Sequence, residues 1–397
     1  MSCGNLLVVG LDVAAIAASA RRSGYDVYAV DYFGDKDTQA ATQMNYSLMH
    51  QAPRKSCGRI SESFSPVGLV ELAKKLARKY PLDGILLASG LEDSPTELRA
   101  LRDLAPILGN PLNVIAKVRN KVDFFEILAK RSICCPETLQ AKGVEEAEEA
   151  ASELDYPVIV KPTKGFGGGD VKLIQDSEAL RSAISGENEV LVQEYVQGIA
   201  ASASVIGTGK ESAVLTVNEQ IVGVRQLGAS GPFTYCGNII PLVAADETLK
   251  KCESVCTEVS TALGLVGSNG VDFVLDESGQ SWIVEVNPRF QGTIECVEKV
   301  LGINLVETHI TACGGRLTVH PEVPPSYCTR LVLYGCQRCS VPDLSVFTEV
   351  RDIPFPGVII ERGEPVCSIV TEGKTKAQSF GRAGELAGQI YDLLVSE

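Results

Sequence analysis

The sequence predicts a multidomain protein that combines α/β and α+β architecture. A chain of 397 residues suggests about two to four domains, and an apolar content of 45% is enough to build sizeable cores. Two local patterns decide the fold class. A strand–helix–strand unit opens the chain and indicates a parallel sheet, and an acidic hairpin over residues 270–289 indicates antiparallel pairing further along.

The strand–helix–strand unit begins at the N-terminus. Residues 5–10 form an apolar run of strand length, residues 12–23 form an alanine-rich helix, and residues 26–31 return as a strand. This order predicts a Rossmann-like unit. A dinucleotide-binding loop needs several glycines before the helix, but only Gly10 is present. We therefore interpret the unit as structural or substrate-facing.

Another buried strand is predicted over residues 84–90 and ends in the loop 89–94. Ligands of open α/β sheets bind at the carboxyl ends of the strands, so this loop is a candidate substrate contact. An ordinary connecting loop is an equally good interpretation. A helix is then predicted over residues 118–130 and carries Lys121.

The acidic hairpin holds the clearest chemical signal. Its strands cover residues 270–275 and 282–289, with a short polar link between them. Side chains alternate along a strand, so Glu285 and Asn287 share one face, and antiparallel pairing can place Asp272 beside them. Three oxygen ligands in one place suit Mg²⁺ that keeps waters and takes further ligands from phosphates. The alternative is a solvent-facing hairpin with scattered acids.

Charge and hydropathy limit the partners. The net charge is −14 at pH 7, which argues against a general nucleic-acid or membrane-surface binder. The N-terminus lacks the basic region of a signal peptide, and the longest uncharged stretch, residues 226–245, contains three glycines and two prolines. Such a stretch does not suit a membrane helix. We therefore expect a cytoplasmic protein.

The chain contains 13 cysteines, and without a secretory signal we expect no disulfide framework. Cys336-x-x-Cys339 is a single CxxC motif, whereas a structural zinc site needs a second pair at a defined spacing. Buried free thiols are the favoured interpretation, and the sequence does not decide whether any cysteine binds metal.

A glycine-rich segment follows a short strand predicted over residues 156–162. Lys161 lies at the end of that strand, and residues 165–169 include four glycines. Backbone N–H groups of such a loop can approach phosphate oxygens closely. The segment is neither a P-loop nor a dinucleotide loop, because a strand is predicted to follow it. A lid over phosphates and a plain flexible hairpin both stay open at this point.

Taken together, these segments resemble the ATP-grasp superfamily. The family order is a helix with a lysine, a strand ending Val-Lys-Pro with a glycine flap, an adenine-hinge strand, and an acidic strand pair ending Glu-x-Asn-Pro-Arg. The matching segments here are, in order, Lys121, residues 160–162 with 165–169, residues 193–198, and Asp272 with residues 285–289. The resemblance covers about residues 118–311, and the nearest branch is the predicted ATP-dependent carboligase group.

The resemblance implies three domains. A Rossmann-like domain over residues 1–115 precedes an ATP-grasp domain over residues 116–315, whose glycine-flap subdomain covers about residues 136–195. Residues 316–397 are expected to form a small C-terminal α+β cap that ends in a helix over residues 382–394.

The resemblance also implies which residues bind ATP. Lys121 and Lys161 would contact the α- and β-phosphates, and Glu194 and the backbone of Val196 would hydrogen-bond adenine. The implied nucleotide-binding set is Lys121, Lys161, Gly167, Gly168, Gly169, Glu194, Tyr195 and Val196. Many members hold the ribose with an acid shortly after the hinge, but apolar residues follow Gly198 here, so the ribose contact is not identified.

Metal-binding and catalytic residues are implied as well. Asp272, Glu285 and Asn287 would hold two Mg²⁺ ions, with Mn²⁺ as an alternative, and Arg289 and Lys161 would be catalytic. Arg289 would steady the transferring phosphoryl group and an acyl phosphate. Cations of this kind neutralise the charge that spreads over a transferring phosphoryl group.

The implied function is an ATP- and Mg²⁺-dependent carboxylate–amine ligase that joins two small molecules through an acyl phosphate. The alternatives are a biotin-carboxylase-like enzyme, a kinase of the same fold and a non-catalytic nucleotide-binding subunit. Residues 290–293 lack the acidic-histidine motif that bicarbonate activation would need. No nucleic-acid or membrane partner is expected, a homodimer is left open, and the sequence identifies neither the carboxylate nor the amine.

Overall fold

A computed structural model of the protein describes residues 3–163, 168, 170–184, 186, 188–317 and 326–397. Four β-sheets organise these residues, one of them parallel and the others antiparallel. Within the described ranges, no helix is both long enough and apolar enough to cross a membrane.

The N-terminal unit is the parallel sheet with its helices. Its elements are β1 (Asn5–Val9), α1 (Ala14–Arg22), β2 (Asp26–Asp31), α2 (Lys36–Ala41), β3 (Met44–Ser47), α3 (Ile60–Ser63), α4 (Pro66–Ala77), β4 (Gly84–Leu87) and α5 (Pro95–Arg102). The strands lie in the order β3-β2-β1-β4 and every pairing is parallel. This arrangement confirms the predicted Rossmann-like fold.

Two helices and a four-stranded antiparallel sheet follow. Their elements are α6 (Leu112–Arg119), α7 (Lys121–Ala129), β5 (Thr138–Lys142), α8 (Gly143–Leu154), β6 (Val158–Pro162), β7 (Lys172–Ile174), α9 (Ser177–Ala183) and β8 (Glu189–Glu194). The strand order is β5-β8-β6-β7. The helix predicted over residues 118–130 is in fact two helices, because Asn120 accepts hydrogen bonds from the backbone N–H groups of Val122 and Asp123 and caps α7. Lys121 is therefore the first residue of a helix.

The rest of the chain builds an eight-stranded antiparallel sheet and a small three-stranded one. Its elements are β9 (Ile199–Thr208), β10 (Ser212–Val222), β11 (Tyr235–Ile240), α10 (Asp246–Leu263), β12 (Val266–Leu275), β13 (Ser281–Asn287), α11 (Ile294–Leu301), α12 (Leu305–Cys313), β14 (Tyr327–Tyr334), β15 (Cys339–Ser340), β16 (Val350–Arg351), β17 (Ile359–Ile360), β18 (Pro365–Gly373), α13 (Lys376–Leu393) and β19 (Val395–Ser396), with short 3₁₀ helices at Arg225–Leu227 and Leu344–Val346. The large sheet has the order β13-β12-β9-β10-β11-β14-β18-β16, and the small one β17-β15-β19. The antiparallel pairing predicted for the acidic hairpin is confirmed.

The large sheet runs across residue 316 without a break. β11 pairs with β14 from Gly237 opposite Leu331 to Ile240 opposite Cys328. Strands predicted to belong to a separate cap therefore extend the sheet that carries the acidic hairpin. The domain boundaries themselves stay predictions.

The last helix, α13, packs against β14 and β18 and begins at Lys376, six residues before the predicted start. Thr375 caps it by accepting a hydrogen bond from the backbone N–H of Gln378 at 3.2 Å. Gly381 lies directly before the predicted start, and the low helix propensity of glycine hid the preceding turn from the sequence pattern.

His309 on α12 joins three parts of the fold. Its Nδ1 accepts a hydrogen bond from the backbone N–H of Ser268 at 2.7 Å, and its Nε2 lies 2.9 Å from the carbonyl oxygen of Leu108. The ring stacks on Phe290 with centroids 4.4 Å apart. Gly267 leaves room for the ring, because a Cβ there would lie 2.4 Å from it. Burial lowers the pKa of His309 to about 4.

This shift predicts an acid-sensitive component of stability. An unfolded histidine binds its proton near pH 6.5, whereas folded His309 resists protonation down to about pH 4, so stability is lost as pH falls through that window. The loss should be roughly 3 kcal/mol. Urea unfolding of His309→Gln between pH 7 and 4 should give a shallower pH dependence than the parent protein. His50→Gln, at an exposed site, is the control, and equal slopes for all three proteins would contradict the assignment.

Candidate active site

One cavity of about 1590 Å³ is lined by residues that follow strands of the parallel sheet and by residues of the two larger antiparallel sheets, β5-β8-β6-β7 and the eight-stranded sheet. The sequence-predicted residues that line it are Lys161, Gly168, Glu194, Tyr195, Val196, Asp272, Glu285, Asn287 and Arg289. Lys121 contacts Glu285 from α7. Gly167 and Gly169 lie outside the described residues.

The acidic hairpin forms in the register that brings its oxygen ligands together. Asp272 on β12 is opposite Glu285 on β13, and Gly270 is opposite Asn287. The amide Nδ2 of Asn287 donates a hydrogen bond to Asp272 at 2.8 Å. The side chain of Gln220, on β10, donates to the other oxygen of Asp272 at 3.0 Å. Of the three predicted metal ligands, Asp272 is thus paired with Glu285 across the strands and hydrogen-bonded to Asn287.

Glu285 is held by cations. The Nζ of Lys121 and the Nη1 of Arg119 each lie 3.0 Å from its Oε1. Burial by itself would raise the pKa of Glu285, but the positive charges of Lys121, Arg119 and Lys161 outweigh burial and lower that pKa to about 2. Glu285 is therefore ionised at any physiological pH.

Asp272 differs from Glu285, because the effects that raise its pKa outweigh those that lower it. Burial, followed by repulsion from Glu285, raises the pKa of Asp272 to about 7, although Arg289 and the hydrogen bonds from Asn287 and Gln220 oppose the shift. The charges around Asp272 therefore do not fully compensate its carboxylate.

Two carboxylates and an amide oxygen fit a Mg²⁺ site, because a divalent cation beside Asp272 would supply the compensating charge. Within the described chain, no group of three or more His, Cys, Asp or Glu side chains is placed to hold a metal ion. The hairpin therefore offers an incomplete set of protein ligands, and Mg²⁺ bound there would take further ligands from water or phosphate.

Lys161 is the penultimate residue of β6 and lines the cavity. Its Nζ donates a hydrogen bond to the side-chain oxygen of Gln193 at 3.0 Å. Burial and the nearby charge of Lys121 lower the pKa of Lys161 to about 8. This ammonium group lacks a close carboxylate among the described ion pairs, which suits it to an anionic ligand.

The predicted adenine hinge also lies on the cavity. Glu194 ends β8, and its Oε2 accepts a hydrogen bond from the backbone N–H of Glu137 at 3.3 Å. From the glycine flap, Gly168 adopts φ +70°, and a Cβ there would lie 2.2 Å from the carbonyl oxygen of Phe233. Any side chain at Gly168 would collide with that backbone.

Arg289 is anchored by a residue that the sequence did not identify. Its Nε donates to Glu92, in the loop after β4, and its Nη2 donates to the Oδ1 of Asn287 at 3.2 Å. The backbone N–H of Gly90 donates to the other oxygen of Glu92 at 2.7 Å. The loop 89–94, predicted as either a substrate contact or a connection, therefore positions the arginine.

Arg119 is a second residue that sequence reasoning missed. It makes a two-pronged contact with Asp93, at 2.8 and 2.7 Å, while its third nitrogen contacts Glu285. Burial works against its charge, but the hydrogen bond with Asp93 and the charge of Glu285 raise the pKa of Arg119 above its usual value. The sequence did contain a signal for this contact, because the adjacent acidic residues Glu92 and Asp93, in a loop that follows a strand, are expected to pair with basic side chains.

A known domain family covers most of the residues that build this site. The ATP-grasp domain family matches residues 118–293. Residues 118–293 of this chain belong to the ATP-grasp superfamily. Members are ATP-dependent enzymes, and the matched range contains Lys121, Lys161, the flap, the hinge and the acidic hairpin.

Two curated proteins are similar to this chain in sequence. The uncharacterized protein MJ0776 of Methanocaldococcus jannaschii is 26% identical over 381 residues, which are 94% of this chain and 90% of the relative. The carbamoyl phosphate synthase large chain of Helicobacter pylori is 27% identical over 258 residues, which are 62% of this chain but only 23% of that protein. The carboligase branch stays a prediction.

Two solved structures share the fold along nearly the whole chain. The biotin carboxylase domain of the 2-oxoglutarate carboxylase of Hydrogenobacter thermophilus, a dimer solved with MgADP, ADP and bicarbonate, matches with a TM-score of 0.75 at 16% identity and covers 96% of this chain and 88% of its own. The L-amino acid ligase of Bacillus licheniformis matches with a TM-score of 0.70 at 17% identity and covers 100% of both chains.

The Arg119–Asp93 pair yields a stability prediction for this ATP-grasp protein. Asp93→Asn should lower the free energy of unfolding by about 2 to 3 kcal/mol, since it removes the charge of the two-pronged partner of a largely buried guanidinium and leaves Glu285 as its one remaining charged partner in the described contacts. Asp103→Asn breaks an exposed pair with Arg102 and should change stability by less than about 0.5 kcal/mol. Urea unfolding monitored by fluorescence measures both. Equal, small effects would mean that the Asp93 contact contributes little.

Proposed function

We propose that this protein is an ATP- and Mg²⁺-dependent carboxylate–amine ligase that acts through an acyl phosphate. The observation that carries the proposal is the convergence of Lys161, Arg289 and the paired hairpin carboxylates on one cavity. A shared fold with an L-amino acid ligase, at full coverage of both chains, supports the same reaction class.

In this proposal, ATP lies between the flap subdomain and the hairpin. Glu194 and the backbone of Val196 hydrogen-bond adenine, and Lys121 and Lys161 contact the α- and β-phosphates. Asp272, Glu285 and Asn287 hold Mg²⁺, which neutralises phosphate oxygens when it is bound. The ion pairs of Glu285 support these roles. A carboxylate that already attracts Arg119 and Lys121 at 3.0 Å can exchange one of these side chains for Mg²⁺.

The chemistry has two steps. A carboxylate oxygen of the first substrate attacks the γ-phosphorus of ATP, an O–P bond forms, the bond to the β–γ bridging oxygen breaks, and ADP leaves. The nitrogen of the second substrate then attacks the acyl carbon, a C–N bond forms, the C–O bond to phosphate breaks, and an ammonium nitrogen gives up two protons in total as phosphate leaves. Arg289 faces the charge that develops in both steps.

Arg289 is well suited to that role because it is already fixed on three sides. Glu92, the amide oxygen of Asn287 and the backbone carbonyl of Phe290 all accept its N–H groups. A preorganised guanidinium stabilises developing charge without having to reorganise during the reaction.

A carboxylase is the second candidate, favoured by the fold shared with a biotin carboxylase domain. The residues after Arg289 count against it. Thr293 is buried and its hydroxyl lies 3.3 Å from that of Ser204, and Gln291 reaches the same hydroxyl at 3.4 Å. Neutral side chains therefore occupy a segment where bicarbonate activation would need an acid and a base.

The ATP-binding role of Lys161 can be tested directly. Lys161→Ala should weaken ATP binding by at least about tenfold, or about 1.4 kcal/mol, because it removes a partly buried ammonium group that is proposed to face the phosphates. Lys172→Ala is the matched control, since Lys172 lies on the adjacent strand β7, is exposed and does not line the cavity. Isothermal titration calorimetry with Mg-ATP measures both affinities. Equal affinities would show that Lys161 does not contact ATP.

The ligase reaction predicts a trapped intermediate. When carboxylates are screened with Mg-ATP, the true substrate should release ADP, and hydroxylamine should convert its acyl phosphate into a hydroxamate. Glu285→Gln should abolish both signals and keep the parent fold, because it removes the charge that is proposed to hold Mg²⁺.

The product then separates the candidates. A phosphate ester from an alcohol, without a hydroxamate from any acid, would replace the ligase with a kinase. Release of ADP that needs only bicarbonate would favour the carboxylase. Near-normal turnover in Glu285→Gln would remove the metal assignment.

A further inference from the structure

A buried side chain that does not line the cavity holds the turn between Asn287 and Arg289. β13 ends at Asn287, and the backbone N–H of Arg289 donates to the carbonyl oxygen of Asn287 at 2.8 Å. Pro288, between them, is buried and has no N–H group, so its carbonyl oxygen requires a donor. The side-chain Nδ2 of Asn110 is that donor, at 2.9 Å. Asn110 therefore fixes the backbone between two residues of the proposed active site.

Asn110 lies in the connection between α5 and α6, 178 residues before Pro288 in the chain, and is 4% exposed. Its Nδ2 also donates to the Oδ1 of Asn269 at 2.6 Å, and its Oδ1 accepts from the backbone N–H of Val266 at 2.8 Å. Three hydrogen bonds thus join one side chain to β12 and to the residue that follows β13.

The neighbouring groups allow one orientation of this amide. A proline carbonyl only accepts and a backbone N–H only donates, so the Nδ2 of Asn110 faces Pro288 and its Oδ1 faces Val266. Asn269 agrees with this orientation, because its own Nδ2 donates to the carbonyl oxygens of Val266 and Gly267 and leaves its Oδ1 to accept. Position 110 therefore requires a side chain that donates twice and accepts once.

The contact arises from the unequal lengths of the two hairpin strands. β13 ends at Asn287, whereas the antiparallel partner β12 extends beyond it, back to Val266. Two backbone N–H groups in this extension donate to side chains instead of to a strand. Ser268 donates to the Nδ1 of His309, and Val266 donates to Asn110. Asn110 therefore takes the place of a strand at the end of the hairpin that carries the turn.

We propose that Asn110 is a positioning residue for the Mg²⁺ site, because it fixes the backbone of Pro288 and thereby the amide oxygen of Asn287. The inference rests on the proposed function in one respect, since Asn287 is a metal ligand only in the proposed Mg-ATP site. Glu92 holds the guanidinium of Arg289, so the part of the chain before α6 fixes both the side chain and the backbone of this segment. Loss of a group that orients a metal ligand weakens metal binding or activity by about 10- to 100-fold.

Metal binding tests the inference without turnover. The full chain, in excess over a non-hydrolysable ATP analogue, would be titrated with Mn²⁺, and electron paramagnetic resonance would measure the free ion. Asn110→Ala should weaken Mn²⁺ binding by at least about tenfold, because the amide oxygen of Asn287 is no longer held in place. Calorimetry in EDTA should give an affinity for the analogue within about threefold of the parent protein, since the proposed lysine and hinge contacts are unchanged.

Asn304→Ala is the matched control. Asn304 also makes three hydrogen bonds, because it donates to the carbonyl oxygen of Ser19 at 2.9 Å and accepts from the Ser19 hydroxyl at 3.2 Å and from the backbone N–H of Glu307 at 2.9 Å. It does not line the cavity. Its loss should leave the affinity for Mn²⁺ within about twofold of the parent protein.

Asn110→Leu is the second variant, because it fills nearly the same space without a donor or an acceptor. Urea unfolding would establish that each variant is folded before the titration. Asn110→Leu should weaken Mn²⁺ binding as Asn110→Ala does. Failure of both variants to fold would assign Asn110 to stability alone and overturn the inference.

The remaining outcomes separate this inference from the proposed reaction. Parent-like affinity for Mn²⁺ in a folded Asn110 variant, or an equal loss in Asn304→Ala, would overturn the positioning role and keep the ligase. A parent protein that binds no Mn²⁺ beside the analogue would remove the metal assignment and this inference with it. Weakened Mn²⁺ binding in the Asn110 variants alone, without a hydroxamate from any carboxylate, would keep the positioning role and remove the ligase.

Discussion

The charge of Glu285 is the constraint on which the site depends. Three basic side chains from three elements surround one carboxylate, and their combined field outweighs the effect of burial. The cross-strand register then places Asp272 against the same carboxylate, where a second negative charge is unfavourable. The positive charge around Glu285 thus more than compensates its burial, whereas the charge of Asp272 is only partly compensated. A metal ion at Asp272 would even out this difference.

The parallel sheet takes part in this balance through one loop. Glu92 holds Arg289 and Asp93 holds Arg119, so adjacent residues of the loop after β4 orient the two arginines nearest the hairpin. Both arginines are mostly buried, with side-chain exposures of 16% and 11%. Long side chains lose conformational entropy when they are fixed. Here that entropy is lost when the protein folds, because contacts with the N-terminal unit fix both arginines before any ligand binds. The candidate active site therefore includes more than the family-matched residues.

Local patterns were enough to predict much of this arrangement. The acidic hairpin follows from two segments that alternate or run apolar around a short polar link, and the parallel sheet follows from apolar runs around an alanine-rich helix. The partners of the two arginines could not be predicted in the same way, because Arg119 and Glu285 are 166 residues apart and Arg289 and Glu92 are 197 apart. Such contacts are set by how sheets pack, which periodicity does not encode. The break at Asn120 was missed for a different reason, since a capping side chain can interrupt a helix without interrupting its hydrophobic pattern.

The continuous eight-stranded sheet has a consequence for how this fold can be divided. A fragment that ended at residue 315 would lose β14 and leave the backbone of β11, from Gly237 to Ile240, as an open edge. Unprotected edges pair with other chains, so such a fragment would tend to aggregate even with its nucleotide-binding motifs intact. Recombination that exchanges a nucleotide-binding module between proteins would have to carry the C-terminal strands with it. The matched segment and the C-terminal strands are therefore one physical unit of the fold.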